Sequence, residues 1–219
     1  MVDVTIVVPI LNEKDNIRPL YHSLKKALDQ AGFRWEIVFV DDNSQDGTLQ
    51  EMRGLISEIK DHSVKLIQRI HRFGLSSACV EGIMASHAPF IVVMDVDGQH
   101  DETQIPIMYH TIQKKNLDAI VGSRYCDTGS LGELDPHRAF ISKTATYLAR
   151  KIGKVTLTDP MSGFFMIRRS TLESLIARLY SKGFKILLDI LLASPSPLKY
   201  EEIAYTMRAR KFGESKLNS

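Results

Sequence analysis

"FIVVMDVDGQHDE", residues 90–102, runs from an unbroken apolar stretch straight into two aspartates and a glutamine at alternate positions. Side chains two apart on an extended chain point the same way, so Asp95, Asp97 and Gln99 form one oxygen-rich row where a strand leaves the core. Such a row suits a hard divalent cation, which prefers carboxylate and amide oxygens. A solvated turn rich in Asp and Gly would look the same over so short a stretch, so the surrounding chain has to decide.

Outward from this stretch the rhythm repeats. "VTIVVPI" (4–10), "WEIVFV" (35–40), "VKLIQ" (64–68) and "LDAIVGS" (117–123) are further short β-branched runs, separated by helix-like segments at 13–31, 46–60, 74–87 and 103–115. This alternation predicts βαβ units: an α/β, Rossmann-like fold with a mostly parallel central sheet flanked by helices. Ligands of open α/β sheets bind beyond the carboxyl ends of the strands, where "VVPILNE", "VFVDDNSQDGT" and "MDVDGQ" all fall. After Ser123 the pattern changes to a Gly- and Asp-rich loop (125–136), a basic helix, an "SGFFMIRR" strand, two helices and a last strand within "LKYEEIAYTMRAR". We read one domain, with residues 1–123 as a nucleotide-binding half and 124–219 as a second half packed on the same sheet.

The bulk properties exclude several classes. With 219 residues, 44% apolar and 25% charged, the chain is an ordinary globular protein, and its net charge of +2 gives no reason to expect nucleic acid. Cys79 and Cys126 share no metal or CxxC spacing, which predicts two buried thiols in a reducing compartment and no disulfide. The N-terminus lacks the basic start and cleavage site of a signal peptide, so a cytoplasmic protein is expected. "FKILLDILLA" (184–193) is too short to span a bilayer, which needs about 20 apolar residues, and reads instead as a buried helix with a Lys185/Asp189 pair. Residues 136–158 hold no Asp or Glu but carry Arg138, Lys143, Arg150, Lys151 and Lys154 between apolar positions at helical spacing. That is a basic amphipathic helix, and a candidate for contact with an anionic membrane surface.

No GxGxxG follows the first strand and no GxxxxGK[ST] occurs, so a plain dinucleotide site and a P-loop are excluded. Asp41 and Asp42 sit where a base or ribose would be reached. Asn43, Ser44 and Asp46 suit a turn and a helix N-cap, so we assign binding to Asp42 and capping to Asp46. His100, beside the metal row, reads as a surface residue. A haloacid dehalogenase-type phosphatase would also follow a strand with DxDG, but here Gln99 stands in place of the expected Thr. An EF-hand fails because Gly98 comes fourth in the loop and not sixth.

Taken in order, "VVPILNE", "VDDNSQDGT", "MDVDGQ", "VGSRY", "DPMSGFFMIRR" and "RKFGESKL" resemble the motifs of family-2 glycosyltransferases of the GT-A fold. The likeness runs from Val4 to Leu217 and is greatest to the polyprenyl-phosphate branch, which includes dolichyl-phosphate mannose synthases and undecaprenyl-phosphate glucosyltransferases. The resemblance implies an inverting transferase that moves a hexose, mannose or glucose, from a nucleotide-diphosphate sugar to a polyprenyl monophosphate. Residues 1–123 would hold the nucleotide sugar and 124–219 the acceptor. Pro9, Leu11, Glu13, Val40 and Asp42 match positions around the nucleoside. Asp95 and Asp97 match the DxD-type pair, with Val96 giving backbone contacts and Gln99 a further ligand to Mg²⁺ or Mn²⁺. Arg124, Arg138, Arg210 and Lys216 match basic positions near the donor diphosphate or the lipid phosphate, and Asp159 matches the acceptor side, with Asp97 and Asp159 as the catalytic candidates. Peripheral attachment at the cytoplasmic face of a membrane follows from such an acceptor. The chain departs from the family at Leu11, usually aromatic in mannose synthases, and at Gly98, usually apolar. Activity on a glycan acceptor and a non-catalytic nucleotide-sugar-binding role are the competing readings.

Overall fold

The computed structural model describes residues 1–59, 63–71, 74–126, 156–210 and 212. Seven strands form one sheet: β1 (Val4–Ile10), β2 (Trp35–Asp41), β3 (Val64–Gln68), β4 (Phe90–Val93), β5 (Ala119–Ser123), β6 (Phe165–Arg168) and β7 (Tyr200–Ala204). Their spatial order is β3-β2-β1-β4-β6-β5-β7. β1 pairs in parallel with both β2 and β4, so the acidic stretch leaves the sheet from its central strand, β4, beside β1. β6 is antiparallel to β4 and to β5, while β7 returns parallel to β5. The two sequence halves therefore interleave, because a strand of the second is inserted between two strands of the first.

The early strands are apolar throughout because both faces are covered. Ile6 and Val8 point into one core layer, together with Leu24, Phe39, Met52 and Met108. Val7 points the other way, into a layer with Val40, Ile83, Ile167 and Ile190. Helices α1 (Ile17–Leu28), α2 (Thr48–Ile59) and α4 (Gln104–Lys114) bury residues in the first layer, and α3 (Leu75–Met84), α5 (Arg169–Leu175) and α6 (Ile186–Ala193) in the second. Each such side chain, wholly withdrawn from water, contributes on the order of 1.5–3 kcal/mol.

Strand and helix positions follow the sequence pattern closely, and several finer expectations are corrected. The helix expected over 13–31 begins as a 3-10 turn, Lys14–Asn16, before α1. Cys79 is buried, but Cys126 is only half-buried. In α6, Lys185 and Asp189 do not pair: the Asp189 carboxylate accepts from the N–H groups of Tyr180 and Ser181, whereas Lys185 Nζ donates to the Met161 carbonyl at 3.3 Å. Among the described residues no helix is long and apolar enough to cross a membrane. The basic amphipathic helix, Arg138 and Lys216 lie outside the described residues.

Candidate active site

The carboxyl ends of β1, β2, β4 and β5 open on one rim, as the parallel registers require. At the end of β1, Pro9 and Leu11 are half-buried, while Glu13 is buried and turns inward. Its carboxylate accepts from Asn16 Nδ2 at 2.6 Å and its N–H donates to Thr48 Oγ1 at 2.9 Å, which ties the β1 exit to the start of α2. Asp46 caps that helix as expected, accepting from Thr48 N at 2.9 Å.

At the β2 exit, Asp41 is fully enclosed and accepts from Ser44 N at 3.1 Å. Asp42 is also buried, and both its oxygens are committed: Oδ1 to Arg69 Nη1 at 2.8 Å and Oδ2 to Gly74 N at 2.9 Å. Arg69 further pairs with Glu81 at 2.7 Å and donates to Ser77 Oγ at 2.8 Å. Asp42 thus ties the loop after β3 to the sheet, and Asp41 holds the turn that follows β2. Val40 is wholly buried in the α3 layer, so only its backbone can face a ligand.

The β4 exit is built differently. Gly98 takes φ +73°, a left-handed turn with open space where a side chain would begin, and this reverses the chain directly after Asp97. Asp97 is buried; Oδ1 accepts from Gln99 N at 3.0 Å and Oδ2 meets Arg210 Nη2 at 2.7 Å. The Asp95 side chain keeps 41% of its surface, and no hydrogen bond reaches its carboxylate from the described residues. Gly163 packs so closely that a β-carbon there would sit 3.1 Å from Asp95 Oδ2. Burial raises the Asp95 carboxyl above the ordinary range against the pull of Lys185, Arg210 and Arg124. Burial and then the charge of Asp95 raise Asp97 as well.

His100 is buried, not on the surface. It stacks on Phe164 at 5.2 Å, meets Tyr205 edge-on at 5.9 Å, and accepts the Asp95 N–H at Nδ1 over 3.1 Å. Burial lowers its pKa to about 4, so the ring is neutral with its proton on Nε2, 3.7 Å from Asp95 Oδ2. It shapes the strand exit.

β5 of the first half and β7 of the second complete the rim. From the end of β5, Arg124 grips Asp159 with two donors, Nε at 2.6 Å and Nη2 at 2.8 Å. Asp159 has no exposed surface, and its N–H donates to Glu202 of β7 at 3.0 Å. Asp159 therefore holds Arg124 and is not itself open to an acceptor. The segment after β7 crosses the β4 exit as a strap: Arg208 N donates to the Gln99 carbonyl at 3.0 Å, and Gln99 Nε2 donates back to the Arg208 carbonyl at 3.2 Å. Arg208 then reaches Asp101 and Glu102, both at 2.5 Å, and Arg210 meets Asp97. Sequence reasoning missed Arg69, Glu202, Arg208 and Lys185, whose partners lie far along the chain.

Among the described residues no three His, Cys, Asp or Glu side chains converge as a ready-made metal cage. The donor set still fits a small hard cation. Two carboxylates share one strand exit, Asp97 paired with Arg210 and Asp95 half-open, and Mg²⁺-type ions take one or two carboxylates and complete their shell with substrate phosphates.

The comparisons agree with the architecture. A family model described as Glycosyl transferase family 2 matches residues 5–176. A protein of Pyrococcus furiosus named dolichol-phosphate mannosyltransferase is 37% identical over 98% of this chain, which spans 59% of that relative's length. A Saccharomyces cerevisiae protein of the same name is 34% identical over 99% of this chain and 82% of its own. Among solved structures, a mannosyltransferase from Pyrobaculum calidifontis in complex with GDP-Man and Mn²⁺ superposes with a TM-score of 0.66 at 15% identity, over 94% of this chain and 56% of the other. Glucosyl-3-phosphoglycerate synthase from Mycobacterium tuberculosis, with Mn²⁺ and UDP, gives 0.68 at 18% identity over 97% and 73%. The fold is that of the GT-A glycosyltransferases.

Proposed function

The chain belongs to glycosyl transferase family 2, and from that membership we propose that it transfers a hexose, with mannose the first candidate, from a nucleotide-diphosphate sugar to a polyprenyl monophosphate. The observation that carries this reading is the Asp95–Asp97 pair, of which Asp97 is matched by Arg210 and Asp95 is left half-open, on a rim where Arg124 and Lys185 also gather. The likeness to two proteins named dolichol-phosphate mannosyltransferase over nearly the whole chain supports the donor and acceptor classes.

Breaking the anomeric bond of a sugar nucleotide leaves charge on the departing diphosphate. Asp95 and Asp97, with Gln99 as a further ligand, would hold Mg²⁺ or Mn²⁺, and the bound ion supplies positive charge at that diphosphate. Arg124, fixed in one orientation by Asp159 and, behind it, Glu202, adds a preorganised donor on the β5 side. Arg210 neutralises Asp97 before substrate arrives. A phosphate monoester is already an anion at neutral pH, so its oxygen forms the new bond to the anomeric carbon without a general base while the bond to the diphosphate breaks on the opposite face. His100 is enclosed and held neutral by burial. Residues 1–123, joined by Arg124 and Arg210, then serve the donor and the rest of 124–219 the acceptor, with peripheral contact between the acceptor side and a cytoplasmic membrane face.

A screen of GDP-mannose, UDP-glucose and related donors with a short-chain polyprenyl phosphate, with and without EDTA, tests the proposal. Release of nucleoside diphosphate that requires both the lipid phosphate and a divalent metal is expected. Donor binding without turnover for every acceptor would contradict it.

A further inference from the structure

Most cations on the rim are already spoken for. Arg69 is matched to Asp42 and Glu81, Arg124 to Asp159, Arg208 to Asp101 and Glu102, and Arg210 to Asp97. Lys185 differs. It caps the N-terminus of α6, is exposed, and makes no ion pair within 4 Å with any carboxylate among the described residues. Its ammonium donates to the carbonyl of Met161, two residues before the Gly163 backbone that abuts the Asp95 carboxylate. Lys185 is also the strongest favourable charge acting on Asp95, and Arg124 and Asp159 act on Lys185 in turn. An ammonium on four rotatable bonds, held by one carbonyl at the edge of a carboxylate pair, is suited to capture an incoming phosphate as a point charge.

We propose that Lys185 binds the phosphate of the acceptor and delivers it to the face of the site bounded by Asp95 and Gly163. This rests on the acceptor class proposed above. The arginines are engaged with carboxylates, whereas Lys185 reaches the site from the loop that joins α5 to α6. The neighbouring Lys182 lies over the Tyr180 ring at 5.4 Å and is occupied there. It supplies an internal control of similar charge and exposure.

The experiment compares the parent chain with Lys185→Met, Lys185→Arg and Lys182→Met, each checked for an unchanged melting temperature. Two quantities are read: KM for a short-chain polyprenyl phosphate at saturating donor and Mn²⁺, and binding of farnesyl phosphate against binding of the donor's nucleoside diphosphate by calorimetry. Loss of one charge-assisted contact predicts a KM about 10- to 100-fold higher and a matching loss of farnesyl phosphate binding in Lys185→Met. Lys185→Arg should recover part of both, with nucleoside diphosphate binding within about threefold of the parent. Equal weakening of nucleoside diphosphate and farnesyl phosphate would overturn the assignment, as would an unchanged KM or an equal effect from Lys182→Met. If the parent binds farnesyl phosphate through Lys185 yet transfers no sugar to it, the acceptor reading fails while the phosphate site stands.

Discussion

The exits of β2 and β4 flank β1 on the same rim, and both are acidic, yet they are finished in opposite ways. At β2 every oxygen of Asp42 meets a fixed donor, Arg69 on one side and Gly74 N–H on the other. At β4 the Asp95 carboxylate is left half-open, and burial raises both it and Asp97. Acidity alone does not mark a site. What distinguishes the β4 exit is that only Asp97 is matched, by Arg210, while the neighbouring Asp95 carboxylate takes no hydrogen bond from the described residues, so a cation from outside can balance it.

That contrast predicts which measurement each substitution disturbs. The largest effect belongs to Arg69→Met, which strands Asp42 in a buried position; breaking such a pair costs about 3–5 kcal/mol. Urea denaturation should record that loss, while the molecules still folded keep transfer within a few-fold of the parent. Next comes Asp97→Asn, which keeps shape and removes charge. Transfer should fall on the order of 10²- to 10³-fold, with the urea midpoint moved little because relief of the repulsion from Asp95 offsets loss of the Arg210 pair. If Arg69→Met abolished transfer in the folded fraction, or Asp97→Asn simply unfolded the chain, the two exits would not differ as described.

The first five strands were legible because each is a short apolar run on a sheet buried on both faces, and the acidic row was legible because its members are two residues apart. β6 was legible as a strand but not in its place, since its pairing between β4 and β5 depends on contacts distant along the chain. The same limit explains the misread polar residues. Asp42 reads from the sequence as a ligand with no sign of Arg69 beside it, and Asp159 as an acceptor-side residue with no sign of Arg124's grip. His100 looks like a surface residue until Phe164 and Tyr205 enclose it. Local spacing gives the row; only folding reveals which charges are already spent.

Two smaller substitutions sharpen the comparison. Arg124→Lys removes the two-pronged grip on Asp159 while keeping the charge, so transfer should drop about 10-fold with the donor's KM raised, in steady-state kinetics. Gly98→Ala meets no neighbouring atom, so its cost comes only from φ +73° and should be about 1 kcal/mol by urea denaturation, with transfer nearly intact.

The most direct trial of the central claim is the melting temperature of the parent and of Asp97→Asn with Mn²⁺ plus the nucleoside diphosphate of the accepted donor, before and after EDTA. A ligand that binds only the folded state raises that temperature. The parent should rise by several degrees and fall back with EDTA, while the variant stays near its ligand-free value. An equal, EDTA-sensitive rise in both proteins would show that the cation and diphosphate are held elsewhere.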